Sequence, residues 1–224
     1  MSLDNPIWAA LATRHAHLAE GDRRARRYPA GISPFAAIPE TTPETLAALA
    51  ALAKPGETLM LIQADAIAVP PGLELALAGD CVQMVADAPL PEIDDPRIAP
   101  LGTLDVADML ALATLSKPGP FSLRALELGR FWGIRIDGRL AAMAGERLRQ
   151  PGFAEVSGVC VHPDFRRRGL GALMSRAVAG RIAAAGETAY LHVYADNAAA
   201  IDLYAAIGFR LRRTMRVAAL ARPA

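Results

Sequence analysis

A glycine loop between a strand-like run and a helix-like run constrains the fold of this chain more than any other feature. The loop, Arg166–Ala172, reads Arg-Arg-Arg-Gly-Leu-Gly-Ala. The apolar residues of 153–161 before it are typical of a strand, and those after it recur on one helical face up to Ile182. The first N–H groups of a helix lack partners, and the helix dipole favours an anion there. The order strand, loop, helix therefore predicts a diphosphate cradle, to which arginines add charge-assisted hydrogen bonds.

The loop differs from two common phosphate-binding motifs. It has no Gly-Lys-Ser/Thr ending, which a nucleoside-triphosphate P-loop needs, and no dinucleotide-type run of three glycines. Its pattern is Arg166-x-x-Gly169-x-Gly171. About 25 residues farther along, the segment Asn197–Phe209 contains Leu-Tyr and ends in Gly-Phe.

Together these two motifs resemble the GNAT superfamily of acyl-coenzyme A-dependent N-acetyltransferases. The loop of that superfamily reads Arg/Gln-x-x-Gly-x-Gly/Ala, and Val161-His162-Pro163 before it is also typical. The resemblance covers residues 98–224 and is strongest over 153–209. It implies an α/β (α+β) fold, with a mixed, mostly antiparallel sheet flanked by helices and an additional N-terminal α/β unit.

The resemblance also implies an activity, the direct transfer of an acetyl or related acyl group from acetyl-coenzyme A, as cosubstrate, to a primary amine. The Val159 N–H would stabilise the oxyanion, and Tyr204 would be the general acid near the coenzyme sulfur. Asn197 would contact the pantetheine arm, cap its helix, or do both. The implied coenzyme-binding residues are Val159, Val161, Arg166, Arg167, Arg168, Gly169, Leu170, Gly171, Ala172, Asn197 and Tyr204.

The predicted general base is Glu155, which lies fourteen residues before Gly169, the offset of the basic glutamate in histone-acetylating relatives. A half-buried strand carboxylate can have its pKa raised toward the working range. A solvent-facing strand residue is the alternative interpretation. Glu146 and His192 are the reserve candidates for the base, and His162 is interpreted as structural.

The charge distribution agrees with an anionic ligand in the second half of the chain. Residues 1–97 contain 7 basic and 13 acidic side chains, a net charge of −6, whereas 98–224 contain 17 basic and 10 acidic ones, a net charge of +7. Nucleic acid could use the same positive charge. However, the arginines form no basic stripe interleaved with aromatics, and aromatic content is only 5%. We therefore predict no nucleic-acid partner.

The two cysteines and the hydropathy pattern exclude further classes. Cys81 and Cys160 are far apart and lack metal or redox spacing, which predicts ordinary buried thiols and no metal. No unbroken apolar run reaches the ~18 residues of a membrane span. Asp4 and the lack of a basic region before an apolar stretch argue against a secretory signal. These features predict a cytoplasmic protein without membrane contact.

The proline-rich acidic segment 89–96 is interpreted as a boundary between an accessory unit, 1–97, and the acetyltransferase domain, 98–224. One helix is predicted from Pro6 to a stop at Gly21, and another over 42–53. Further helices are predicted over 105–114 and 197–207. The predicted strands are 35–38, 58–63, 73–78, 81–85, 97–99, 131–136, 140–150, 153–161, 188–194, 210–215 and 217–220.

Two other function classes stay open beside the enzyme. One is a non-catalytic acyl-coenzyme A sensor, and the other is a nucleic-acid or phosphopeptide binder. The presence of both Tyr204 and Glu155 favours the enzyme. The acceptor is left open among free amino acids, peptide N-termini, lysine side chains and polyamines, and a homodimer is left open as well.

Overall fold

Apolar runs bounded by proline and glycine form the strands and helices of this protein. The computed structural model describes residues 2–224. The α-helices are α1 (Pro6–Ala12), α2 (Pro43–Leu52), α3 (Val106–Ser116), α4 (Leu170–Ala184) and α5 (Ala198–Ala206). The strands are β1 (Glu20–Gly21), β2 (Arg26–Arg27), β3 (Ala36–Ala37), β4 (Thr58–Gln63), β5 (Glu74–Ala86), β6 (Ile98–Leu101), β7 (Phe131–Ile136), β8 (Arg139–Gln150), β9 (Phe153–Val161), β10 (Thr188–Tyr194) and β11 (Phe209–Ala221). Within residues 2–224, no helix combines the length and apolarity needed to cross a bilayer.

The first two helices begin where their capping residues predict. The Asn5 side chain accepts the Trp8 N–H before α1, and Thr42 forms a reciprocal capping box with Thr45 before α2. The predicted stop of the first helix at Gly21 is wrong, because α1 already ends at Ala12 and a short 3₁₀ turn follows. The predicted end of the second helix, at residue 53, is within one residue of the observed end at Leu52, so only the end of α1 was wrong.

Eight strands form the main sheet, in the order β4-β11-β5-β10-β9-β8-β7-β6. All neighbours in it are antiparallel except β9 and β10, which run parallel. The three short strands β1, β2 and β3 make a separate sheet. This mixed, mostly antiparallel architecture confirms the predicted fold class.

Strands from residues 1–97 lie inside this sheet. β5 is hydrogen-bonded to β11 on one side and to β10 on the other, and β4 pairs with the outer side of β11. The predicted boundary between residues 97 and 98 therefore does not separate two sheets. The first 97 residues supply strands without which β10 and β11 would not be joined.

Two predicted pairs of short strands are each one long strand. Residues 73–78 and 81–85 belong to β5, because Gly79 and Asp80 stay extended opposite Val217 and Arg216 of β11. Residues 210–215 and 217–220 belong to β11, whose register shifts near Leu211 without a turn. The bounds of β4, β7, β9 and β10 agree with the prediction.

Helices cover both faces of the main sheet. α4 and α5 pack against one face through a core that contains Met174, Val178 and Val156. α1 and α3 cover the opposite face through separate clusters. Since α4 follows β9 directly, its N-terminus lies at the end of β9, where β9 and β10 move apart.

Replacing Gly180 by alanine should destabilise the fold by about 1–3 kcal/mol. Gly180 lies on α4, where an added Cβ would collide with the carbonyl oxygen of Pro91 and lie 3.0 Å from the Glu92 Cα. Urea unfolding measures the change in the free energy of unfolding. Gly171→Ala in the same helix is the matched control, because its Cβ would meet only side chains, at 3.7 and 3.9 Å. A loss of stability in both variants, or in neither, would contradict packing of Gly180 against the acidic segment.

Candidate functional site

The glycine loop presents a row of unpaired backbone donors. Gly169 caps α4 with a φ of 71° and offers no side chain, and Arg167 also has a positive φ, 63°. The Arg166 N–H donates to the Pro163 carbonyl at 3.3 Å, and the next amide with a backbone acceptor is that of Leu173, which donates to the Gly169 carbonyl at 3.0 Å. Among the described residues, the backbone N–H groups from Arg167 to Ala172 have no acceptor. The loop can therefore donate several hydrogen bonds to one anion.

The three loop arginines are exposed and differ in their contacts. The Arg168 guanidinium lies over the Phe165 ring, 5.3 Å from its centroid. The side chains of Arg166 and Arg167 form no hydrogen bond or ion pair with any residue in 2–224. Both can turn toward a ligand without breaking a hydrogen bond or an ion pair.

Strand β9 has a free edge next to the loop. Its parallel pairing with β10 covers only the first residues and ends at Glu155, opposite Tyr190. β10 then pairs with β5 alone. The β9 edge from Val156 to Val161 is therefore open toward β10, and an extended ligand can pair with the backbone of Val159 and Val161 as an added strand would.

A bulge at Gly158 changes which side chains of β9 point toward α4. The φ of Gly158 is +60°, and a Cβ there would lie 2.8 Å from the Phe131 ring. Before the bulge, Ala154 and Val156 pack under α4, and after it Val159 and Val161 do. Because of this change, both valines of the free edge contact the layer that contains the glycine loop.

Tyr204 and Asn197, from the second sequence motif, lie near the free edge of β9 at Val159. Burial raises the pKa of Tyr204 to about 12, against a smaller opposing effect of a hydrogen bond with Ser175. Its hydroxyl is therefore protonated at neutral pH and can donate a proton. The Asn197 side chain accepts the Ala200 N–H at 3.2 Å and caps α5.

A cleft of about 230 Å³ connects these elements. Tyr204, Asn197 and Val159 line one end, and the loop 116–120 lines another part of the wall. Phe35, just before β3, and apolar side chains from β4, β5 and β11 complete it. The cleft thus joins the free edge of β9 to the opposite half of the sheet.

Glu155 is fully buried and lies in an ion pair, contrary to the predicted half-buried environment. Its carboxylate accepts two hydrogen bonds from Arg147, at 2.7 and 2.8 Å, and one from the Leu148 N–H at 3.3 Å. Burial alone would raise the pKa of Glu155, but the charge and hydrogen bonds of Arg147 outweigh it and hold the pKa well below its usual range. The predicted upward shift of this pKa is therefore wrong.

His192 connects this carboxylate to the cleft. Its Nδ1 is 2.7 Å from Glu155 Oε1, and its Nε2 is 3.0 Å from the amide nitrogen of Gln83. The Gln83 Oε1 accepts a hydrogen bond from Arg212 at 2.8 Å, so the Gln83 nitrogen faces the imidazole. A carboxylate accepts only, so the proton of a neutral His192 is on Nδ1. His192 lines the cleft, whereas Glu155 does not.

The other acid-base candidates lie elsewhere. Burial raises the pKa of Glu146, whose nearest cation is Arg149 at 3.5 Å, but Glu146 does not line the cleft. His162 accepts the Asp164 N–H and caps the turn that follows β9. Sequence reasoning missed Arg147 and Gln83. A charged residue and an amide within otherwise apolar strands were the available signal, since buried polar groups need partners.

Metal binding and thiol chemistry need histidine, cysteine, aspartate or glutamate side chains in suitable surroundings. Within residues 2–224, no group of three or more histidine, cysteine, aspartate or glutamate side chains could hold a metal ion. Burial raises the pKa of both Cys81 and Cys160 to about 12. Neither thiol is a thiolate at neutral pH.

Comparison with known proteins gives consistent matches for this fold. Residues 132–217 match the FR47-like protein family. No curated protein matches the chain. Two distant structures show the fold alone, a GCN5-related N-acetyltransferase from Kribbella flavida, 18% identical over 96% of each chain with a TM-score of 0.63, and an acetyltransferase from Colwellia psychrerythraea, 19% identical over 66% of this chain and 58% of the other with a TM-score of 0.52.

One relative is much more similar. A GNAT-family acetyltransferase from Novosphingobium aromaticivorans is 43% identical in sequence over 100% of both chains, and its crystal structure gives a TM-score of 0.94. Identity at this level over the whole length, together with the shared fold, identifies this chain as a member of the GNAT family of acetyltransferases.

Proposed function

We propose that this protein transfers an acetyl group directly from acetyl-coenzyme A to a primary amine. The observation that carries the proposal is the continuity of three features. The unpaired amides of the glycine loop lie beyond the end of β9, the edge of β9 is free from Val156 to Val161, and this edge borders at Val159 the cleft that Tyr204 lines. Acetyl-coenzyme A has its diphosphate, its extended pantetheine arm and its thioester in the same order.

The glycine loop and its arginines bind the coenzyme diphosphate. The backbone of Val159 and Val161 holds the pantetheine arm along the open edge of β9, with Asn197 contacting it at the start of α5. The Val159 N–H donates to the thioester carbonyl oxygen, on which negative charge develops when the amine attacks.

Proton transfer uses groups on two elements. The amine nitrogen forms a bond to the thioester carbon, and the carbon–sulfur bond then breaks. Tyr204, which is protonated at neutral pH because burial raises its pKa to about 12, donates its proton to the departing thiolate. His192 receives the amine proton on Nε2 when the hydrogen bond from the Gln83 amide breaks, and the Glu155 carboxylate stabilises the resulting imidazolium. Glu155, the base predicted from sequence, thus becomes a positioning residue in this proposal.

The cysteines support direct transfer over a covalent acyl-enzyme. Cys81 lines the cleft, but its thiol is protonated at neutral pH, and Cys160 is buried against α3. An acyl-enzyme needs a thiolate with an adjacent base.

Tyr204→Phe should lower kcat about 100-fold and leave the Kd for acetyl-coenzyme A nearly unchanged. The phenylalanine fills the same space beside Phe209 but has no proton to give. Calorimetric titration of acetyl-coenzyme A measures Kd, and release of free coenzyme A in the presence of an amine panel measures kcat. Wild-type protein that binds acetyl-coenzyme A without acetylating any amine would favour the sensor, and an unchanged kcat in the variant would remove Tyr204 from the proton transfer.

A further inference from the structure

Arg147 has one nitrogen that its partner Glu155 does not use. Nε and Nη2 of its guanidinium donate to the two carboxylate oxygens of Glu155. Nη1 has no acceptor among residues 2–224, although only 11% of the side chain is exposed. Two N–H donors of a buried cation therefore remain for a group that enters from the cleft.

The free nitrogen faces the cleft at a fixed position. A Cβ at Gly119, in the loop that forms part of the wall, would be 3.9 Å from Nη1. The Arg147 guanidinium lies over the Phe35 ring, with Cζ 4.9 Å from the ring centroid. The bidentate pair and the ring fix the plane of the guanidinium, so the orientation of Nη1 is set before a ligand arrives.

The charges at the cleft favour an anion beside the reacting amine. Arg147 and Lys117 line the cleft, and no aspartate or glutamate in the described part of the chain does. An acceptor with a second ammonium group, such as a polyamine, would find no counter-ion there. An acceptor with a carboxylate would find the donors of Nη1.

One part of the cleft wall, formed around Phe35, is apolar. Phe35, Ile62, Cys81 and Val217 are buried side chains that line the cleft, and Met60 joins them. An apolar side chain of the acceptor would remove apolar surface from water against this wall.

We propose, on the basis of the proposed function, that the acceptor is a free α-amino acid with an apolar side chain and that Arg147 Nη1 binds its carboxylate. This assignment makes Arg147 a specificity-determining residue. Peptide lysines and polyamines lack the carboxylate that the cleft recognises.

The test compares L-leucine with 3-methylbutylamine, which is leucine without its carboxylate, on the wild-type protein. We expect kcat/KM to be about 100-fold higher for leucine, since loss of a partner for a buried charged donor is strongly unfavourable. Arg147→Lys keeps a positive charge beside Glu155 but lacks the several N–H donors that a planar guanidinium holds in fixed directions. It should raise KM for leucine more than KM for 3-methylbutylamine, and any loss of kcat that comes through the Glu155–His192 pair should be equal for the two amines. Unchanged acetyl-coenzyme A affinity checks that the variant is folded.

The outcomes separate this inference from the function on which it rests. Equal kcat/KM for the two amines, or a preference for spermidine, overturns the amino-acid assignment and leaves the acetyltransferase proposal intact. If Lys117→Ala abolishes the preference for leucine and Arg147→Lys retains it, the role of Arg147 is overturned. If acetyl-coenzyme A itself does not bind, the proposed function fails. Calorimetric titration of leucine alone then tests the amino-acid assignment. Binding of leucine but not of 3-methylbutylamine supports the assignment, and binding of neither overturns it.

Discussion

Replacing Gly171 by glutamate should weaken acetyl-coenzyme A binding at least about 1000-fold, which corresponds to about 4 kcal/mol. The residue lies in the first turn of α4, in the middle of the unpaired amides of the glycine loop. A carboxylate there places a negative charge against the diphosphate and occupies the anion site itself. Calorimetric titration of acetyl-coenzyme A into the two proteins measures the effect.

The fold should tolerate this change. A Cβ at Gly171 meets Val161 Cγ2 at 3.7 Å and Leu203 Cδ1 at 3.9 Å, which are ordinary contacts. Gly171→Gln, similar in size but uncharged, separates crowding from charge and should lose less affinity than the glutamate variant. If the folded Gly171→Glu protein binds acetyl-coenzyme A as the wild type does, the coenzyme lies elsewhere.

Glu155→Gln should lower the free energy of unfolding at pH 7 by about 3–5 kcal/mol. The amide keeps the shape of the carboxylate but leaves the Arg147 guanidinium buried without a counter-charge. Urea unfolding measures the loss. The matched control is Asp80→Asn, which breaks the exposed Asp80–Arg216 pair and should change stability by no more than about 1 kcal/mol. Equal effects of the two substitutions would contradict the buried pair.

The difference between the wild type and Glu155→Gln should also depend on pH. Because Arg147 holds the pKa of Glu155 below its value in the unfolded chain, near 4.5, the carboxylate contributes its full stabilisation above that value. The contribution is lost as the pH falls through the folded pKa, at about 2. The stability of the wild type should therefore approach that of the variant between pH 4.5 and pH 2. A difference that stays constant over this range would show that the carboxylate is not charged in the folded state.

Local signals in the sequence were enough to predict the elements that form the proposed coenzyme site. The glycine loop and the cap at Asn197 each depend on a few consecutive residues. The two-residue turn that the structure has at Asp137-Gly138, between β7 and β8 and with both residues at positive φ, is equally local. For such elements the backbone preference and the hydrophobic period indicate the same conformation.

The missed features depend on residues that are distant in the sequence. The extended conformation of Gly79 and Asp80 is set by β11, which no local pattern around them indicates. The environment of Glu155 is set by Arg147 on the neighbouring strand and by His192 on another. The sequence shows that Glu155 lies on a strand, but the face it occupies and the cation it meets depend on the register and bulges of β8 and β9.

The position of β5 in the sheet has a consequence for how the chain folds during synthesis. Val82 of β5 pairs with Val193 on one side and Thr214 on the other, so both neighbours of this strand leave the ribosome long after it does. Until they do, an apolar strand has two unpaired edges, which is the kind of surface that aggregates or recruits chaperones. Contacts between such distant residues also slow folding, because a long loop must close before they form. We therefore expect release of β11 from the ribosome to control when the native sheet first assembles.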